Sequence, residues 1–316
     1  MMKHMAPALA ALLLAGIAHA DQDIPDKYPE SVLYDAPREV IPGVWSAIGA
    51  TAPPTYENSG HNNNLSFIIT TDGVVVVNAG ACYKLAEALH EEIRKVTDQP
   101  VRYVILENGQ GHAALGSNYW KQQDVPVVAH VDAARQIEEG AHGLLTRMQS
   151  YNRDKADGTE VVSPDITFED EYVIELGGTR IEALYLGPGH SPGDIQVWLP
   201  QKKLVISGDM AFHQRLLPIF DDTDTKGWIE TYDRFVALDP EVVIPGHGVP
   251  TTVDVVTRYT QDYLVFLRGE VQKLLDEGAT LAEAYKIDQS AYSDLDTFDE
   301  LAARNAGKVF EAMEFE

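Results

Sequence analysis

Four short apolar runs in this chain each stop at a glycine-bearing turn that carries histidine or aspartate. Val101 to Leu106 runs into Asn108-Gly109-Gln110-Gly111-His112-Ala113, and Ala183 to Leu186 into Gly187-Pro188-Gly189-His190-Ser191-Pro192-Gly193-Asp194. Leu204 to Ser207 meets Gly208-Asp209, and Val242 to Ile244 meets Pro245-Gly246-His247-Gly248. A buried strand ending in a polar, glycine-rich loop is where α/β proteins put their chemistry, and several such ends can converge on one sheet edge. Taken singly, each turn has a bland reading, because a buried histidine is more often hydrogen-bonded than metal-bound. The repetition carries the argument.

The intervening sequence alternates strand and helix. Val40 to Ile48 reads as one strand, and Leu65 to Thr70 and Val74 to Val77 read as a hairpin about the Asp72-Gly73 turn. Lys84 to Val96 puts Leu85, Leu89, Ile93 and Val96 on one helical face. Val125 to Ala129 is a strand, Val131 to Met148 a helix, and Asn152 to Thr159 a charged linker between two halves. Ile166 to Leu176 reads as a strand, Thr251 to Glu277 as one long helix, and the tail to Glu316 as helical. Such alternation predicts an α/β layered domain.

The four turns resemble the metal-binding motifs of the metallo-β-lactamase superfamily. Gly-Pro-Gly-His190-Ser-Pro-Gly looks like its Gly-x-x-His-Thr-x-Gly segment, Gly208-Asp209 like its bridging carboxylate, and Pro-Gly-His247 like the histidine closing the second metal position. The first motif, His-x-His-x-Asp-His-x-x-Gly-Asn, is altered. With Gly116 as anchor, its first two histidines fall on Asn108 and Gln110, its aspartate on His112 and its last histidine on Ala113. A supporting Asp-x-Gly becomes Asn78-Ala79-Gly80. The resemblance covers roughly residues 40 to 250 and implies a four-layer αββα sandwich. Residues 21–250 would form it, with helices from 251–316 packed on it as a C-terminal extension.

The resemblance implies an exported metal-dependent hydrolase that attacks an ester, lactone, amide or thioester bond with a metal-bound water. Its expected ligands are His112, Asp209 and His247, with His190 as a fourth ligand or nearby base, so His112 and His190 are the catalytic candidates. Carboxamides are poor zinc ligands, and two divalent ions would face a single carboxylate, so one zinc ion is expected, with iron as the other metal. His61, His213 and Arg215 are candidates for binding a small-molecule substrate. The altered ligands leave two alternatives open, a catalytically inactive binding protein without metal and a mononuclear iron dioxygenase. They also argue against efficient β-lactam hydrolysis.

Composition bears on location and partners. Lys3 and His4 precede an apolar stretch, Ala6 to Ala18, too short to span a bilayer, and Ala18-His19-Ala20 has the form of a signal-peptidase site. Residues 1–20 therefore read as a signal peptide cleaved after Ala20, placing the protein in the periplasm or outside the cell without a membrane anchor. With 49 acidic against 24 basic residues the formal net charge is −25, which repels nucleic acid. The single cysteine, Cys82, excludes an internal disulfide and reads as a small packing residue. Oligomeric state is not readable.

Overall fold

The computed structural model describes residues 27–316; the expected signal peptide at 1–20 lies outside them. The valines Val74 to Val77 explain the layering. All four are buried; Val74 and Val76 pack with Leu85, Leu89 and Trp120, while Val75 and Val77 pack with Ile181, Val197 and Ile206. Alternate strand side chains leave opposite faces, so a strand buried at every position needs a layer on each side. Val205 shows the same on the other sheet: it faces Trp228, Tyr263 and Phe310, while Leu204 and Ile206 face inward. Three apolar interfaces thus separate four layers, helix, sheet, sheet and helix.

The first sheet runs β1 (Arg38–Ile41), β2 (Val44–Ala47), β3 (Leu65–Ile69), β4 (Val74–Val77), β5 (Val101–Ile105), β6 (Val127–His130) and β7 (Ile166–Phe168), in that order. The pairs from β1 to β4 are antiparallel, and the pairs from β4 to β7 are parallel. The second sheet has the order β12 (Val242–His247), β11 (Leu204–Phe212), β10 (Gln196–Leu199), β9 (Thr179–Leu184) and β8 (Glu171–Leu176). Only β11 and β12 pair in parallel there. Over the first sheet lie α1 (Tyr83–Val96), α2 (Gly111–Ala114), α3 (Ser117–Gln122) and α4 (Val131–Asn152). The second carries α5 (Thr225–Val236), α6 (Val253–Tyr259), α7 (Gln261–Asp276), α8 (Leu281–Ala284) and α9 (Phe298–Met313). The αββα fold with its C-terminal helices agrees with the expectation, and Cys82 is buried at the start of α1.

Three expected elements are divided in the structure. Val40 to Ile48 is a hairpin, β1 and β2, because Gly43 turns the chain at φ +80°. Ile166 to Leu176 spans two sheets: β7 closes one edge of the first and β8 one edge of the second, with Glu169-Asp170 between them. The step between sheets therefore falls here, while the expected linker at 152–159 holds a single 3₁₀ turn packed under α4. Thr251 to Glu277 breaks at Thr260, whose hydroxyl accepts the Phe212 backbone N–H at 2.9 Å. The break lets a helix residue satisfy a donor at the end of β11.

Candidate metal centre

His112 follows a strand end and His247 is one, whereas Asp209 lies inside β11, which continues past the expected end at Ser207 to Phe212. The chain leaves β5 at Ile105 and turns through Glu107 and Asn108 into α2, which carries His112. Asp209 lies within β11, where Gly208 takes φ +54° and a Cβ would meet the Glu107 carboxylate at 2.6 Å. His247 ends β12, and a Cβ on Gly246 would meet the Asp209 Oδ1 atom at 2.5 Å. Glycine is needed at both places because carboxylates crowd the backbone.

His112, Asp209 and His247 each place a ligand atom within 4.8 Å of the others. The His112 Nε2 atom is 3.5 Å from Asp209 Oδ2, and the His247 Nε2 atom is 3.3 Å from Asp209 Oδ1. Each Asp209 oxygen therefore faces one imidazole nitrogen, and the three residues stand close enough together to be candidate ligands of a single ion. Asp209 Oδ1 is also buried without a hydrogen-bond donor. The His247 Nδ1 atom donates to the Asn62 carbonyl, leaving the Nε2 lone pair toward Asp209.

The other motif positions behave differently. Gln110 donates from Nε2 to His190 Nδ1 at 3.3 Å, which occupies the lone pair that an ion would need. The His190 Nε2 atom is buried without a partner, beside the Phe212, Phe220 and Trp228 rings. His190 therefore lies outside the three-residue group, although its Nδ1 atom is 3.5 Å from Asp209 Oδ2. Asn108 gives both carboxylates a donor, Asp194 at 3.1 Å and Asp209 at 3.3 Å, while its own oxygen accepts the Gln110 N–H. Its oxygen is thus spent and does not face a cation. Ala113 is buried, and its carbonyl accepts the Ala79 N–H.

Asn78 has a positive reason to be an amide. It sits at φ +70°, a region asparagine tolerates better than most residues. Its Oδ1 atom accepts the Glu107 N–H at 3.1 Å, and its Nδ2 atom donates to the Asn64 carbonyl at 3.3 Å. Asn64 in turn donates to the carbonyls of Pro245 and Gly248, gripping the turn that carries His247. The asparagine run is a buried bracket beneath the site.

Two buried carboxylates escaped the sequence reading. The Glu107 Oε1 atom is 3.2 Å from His112 Nε2, and Asp194 accepts the Ser191 N–H, the Ser191 hydroxyl and Asn108. The premise of a single carboxylate is therefore corrected: three surround the site. Their protonation follows from burial and neighbours. Burial pushes Asp194 up to about 8, with Asp209 adding to the shift, and raises Glu107 as well. Burial also opposes ionisation of Asp209, but His112, His247 and His190 outweigh it and hold that carboxyl well below the usual range. Burial lowers His190 and His247 to about 4 each. His112 rises despite its burial because Asp209 and Glu107 favour its charged form.

A cavity of about 450 Å³ opens over this group, lined by Gln110, His112, His190, Asp209, His247 and Arg215 and also by Leu144, Tyr151 and Phe220. The structure brings Arg215 to its wall but places the other two substrate candidates elsewhere. His61 is fully buried and accepts the Tyr34 N–H at 2.9 Å; its neighbour Asn62 reaches the cavity instead. His213 stacks on Tyr259 and bonds the Val249 carbonyl, in a separate hollow. Loop residues next to a histidine can point oppositely, which the sequence does not reveal.

Two sheets face to face with a His/Asp/His group at their shared edge define an αββα protein of the metallo-hydrolase type. A family model described as the metallo-β-lactamase superfamily matches residues 110–247. The chain is 21% identical over 247 residues to a linear primary-alkylsulfatase from a Pseudomonas species, covering 66% of this chain and 46% of that protein. It is 33% identical over 119 residues to a metallo-β-lactamase type 2 from Bacteroides fragilis, covering 34% of this chain and 48% of that protein. These matches thus span about half the length of those relatives. Among solved structures, a metallo-β-lactamase from Pontibacter korlensis superposes with a TM-score of 0.60 at 22% identity, over 72% of this chain and 97% of that one. The sec-alkylsulfatase Pisa1 from a Pseudomonas species gives 0.67 at 18% identity, over 88% of this chain and 50% of that one. The likeness to the metallo-β-lactamase superfamily thus rests on residues 110–247, and the αββα fold agrees with it.

Proposed function

We propose that the protein is a hydrolase with one divalent ion, zinc in the first instance, held by His112, Asp209 and His247. The observation that supports this reading most is the spacing of their ligand atoms, all within 4.8 Å. A bound ion supplies a Lewis acid and lowers the pKa of a water toward neutrality. The chain's own groups do the rest. Asp209 stays ionised and compensates the cation's charge, and Asn62 fixes the His247 tautomer. Glu107, buried and 3.2 Å from His112, can take up a proton at the edge of the cavity. His190 and Gln110 form a neutral pair that shapes the floor. The relatives named as β-lactamases and as an alkylsulfatase support hydrolysis as the reaction class, and an ester-type bond in a small molecule suits the cavity size.

Metal content by mass spectrometry of the full chain, alone and as the His247→Ala and Asp209→Asn variants, tests this. Near one zinc per wild-type chain and less than a tenth of that in both variants is the expected result. A metal-free wild type after zinc loading would instead make the protein a metal-independent binding module. Near one iron per chain would move it to the oxygenases.

A further inference from the structure

Two neighbours of His247 compete for one of its nitrogens. The Asn62 backbone carbonyl and the Arg215 Nη1 atom both stand beside Nδ1; the carbonyl is the nearer, and the guanidinium is 3.3 Å away. A carbonyl only accepts and a guanidinium only donates, so the two call for opposite tautomers of a neutral imidazole. With the proton on Nδ1, the ring donates to the carbonyl and its Nε2 lone pair faces Asp209 Oδ1 at 3.3 Å. With the proton on Nε2, the ring would accept from Arg215 and turn an N–H toward Asp209. No cation could then use that nitrogen.

Arg215 is short of acceptors and would take one more. It is 8% exposed, its Nε atom is buried without a partner, and among the described residues no carboxylate lies within 4.0 Å of it. An unmade hydrogen bond on a buried donor is costly, so the nearby ring nitrogen is a real competitor for the guanidinium. The Asn62 side chain stands against this. In the orientation that satisfies the amide, its oxygen accepts from Arg215 Nη1 at 3.3 Å and its nitrogen donates to the Gly60 carbonyl at 3.2 Å. The other acceptor on Nη1 is weaker, the Ala52 carbonyl at 3.5 Å. One residue thus offers a backbone carbonyl to the ring and a side-chain oxygen to the ring's competitor.

We propose that Asn62 is a positioning residue: its side-chain oxygen holds Arg215 off His247 and so keeps the His247 Nε2 lone pair free for a cation. The assignment rests on the metal reading only for the claim that a cation is then bound, because the tautomer belongs to the metal-free chain. Long-range proton–nitrogen correlation spectra of the EDTA-treated full chain, labelled with nitrogen-15 in histidine and kept near neutral pH, test it. The signals of His247 are those lost in His247→Gln. Wild type is expected to carry the proton on Nδ1. Asn62→Ala is expected to move it to Nε2 in more than half of the molecules and to weaken zinc binding at least tenfold in competition with a chelator. Removing the competitor as well, in Asn62→Ala with Arg215→Met, is expected to bring back both the Nδ1 proton and the affinity. A merely structural role predicts the opposite, a double variant worse than the single one. Asn62→Leu, close in shape and without the oxygen, serves if the alanine variant does not fold. The proposal is overturned by a wild type protonated on Nε2, by an unchanged spectrum in the folded single variant, or by a double variant that is not rescued. A wild type that binds no zinc but shows the tautomer shift sinks the metal reading and keeps this assignment. A zinc-binding wild type whose tautomer ignores Asn62→Ala does the reverse.

Discussion

At the scale of single residues, the altered positions of the first motif form one hydrogen-bonded unit. Asn108 bridges Asp194 and Asp209, Gln110 caps His190, and Asn78 ties the β5 exit to the bracket under His247. Asn78→Asp, which would restore the usual carboxylate, is therefore expected to destabilise the metal-free protein by about 1–3 kcal/mol. It removes the donor to the Asn64 carbonyl and adds charge to a buried place. Urea denaturation of the two chains checks it, and an equal or higher midpoint in the variant contradicts the account. Asp209 and His247 were legible because each follows an apolar run at a glycine, although for Asp209 the strand runs on to Phe212. Glu107 carries the same signal, a carboxylate directly after the apolar run Val101 to Leu106, but the altered motif begins one residue later, at Asn108, and does not include it. The role of Asn108 was not legible, since which face of an amide meets which neighbour depends on packing across the two sheets.

Among the elements, the segment after β11 owes its position to the C-terminal extension. Leu216 donates its N–H to the Asp296 carbonyl, and Thr297 reaches back to the Leu216 carbonyl. From α9, Asn305 accepts the Ile219 N–H at 3.0 Å and donates to the Leu217 carbonyl at 2.7 Å. Replacing Asn305 by alanine leaves buried backbone groups unpaired and is expected to cost about 2–4 kcal/mol. Hydrogen exchange should localise the effect: amides at 216–220 exchange faster while those of β4 and β5 keep their protection. Uniform acceleration across the chain would mean that α9 supports the whole fold rather than this loop. The extension's helices were legible from their apolar spacing, and so were most strands. The break at Thr260 and the passage between sheets at 169–170 were not, because the local pattern continues across both. A donor at the end of β11 decides the first, and the edge on which each half of a strand pairs decides the second.

For the whole molecule, buried histidines set the acid limit. Burial depresses His61 from 6.5 to about 4. Above pH 6.5 neither the folded nor the unfolded chain protonates it, so it has no effect there. As pH falls from 6.5 toward 4 the unfolded chain takes up a proton that the folded chain refuses, and stability is lost. That window is worth about 3 kcal/mol for this residue. The melting temperature should fall steeply through it, and His61→Gln should flatten the slope without moving the plateau at neutral pH. A slope unchanged in the variant would assign the acid sensitivity to other groups. The placement of the three candidate ligand residues has a consequence for assembly. His112 hangs from one sheet and Asp209 and His247 from the other, on segments far apart in the chain. An ion there would act as a rivet through two plates, seated only after the plates are aligned. Loading would then be a late event in the chain's maturation, and an ion, once seated, would slow the parting of the sheets far more than it speeds their meeting.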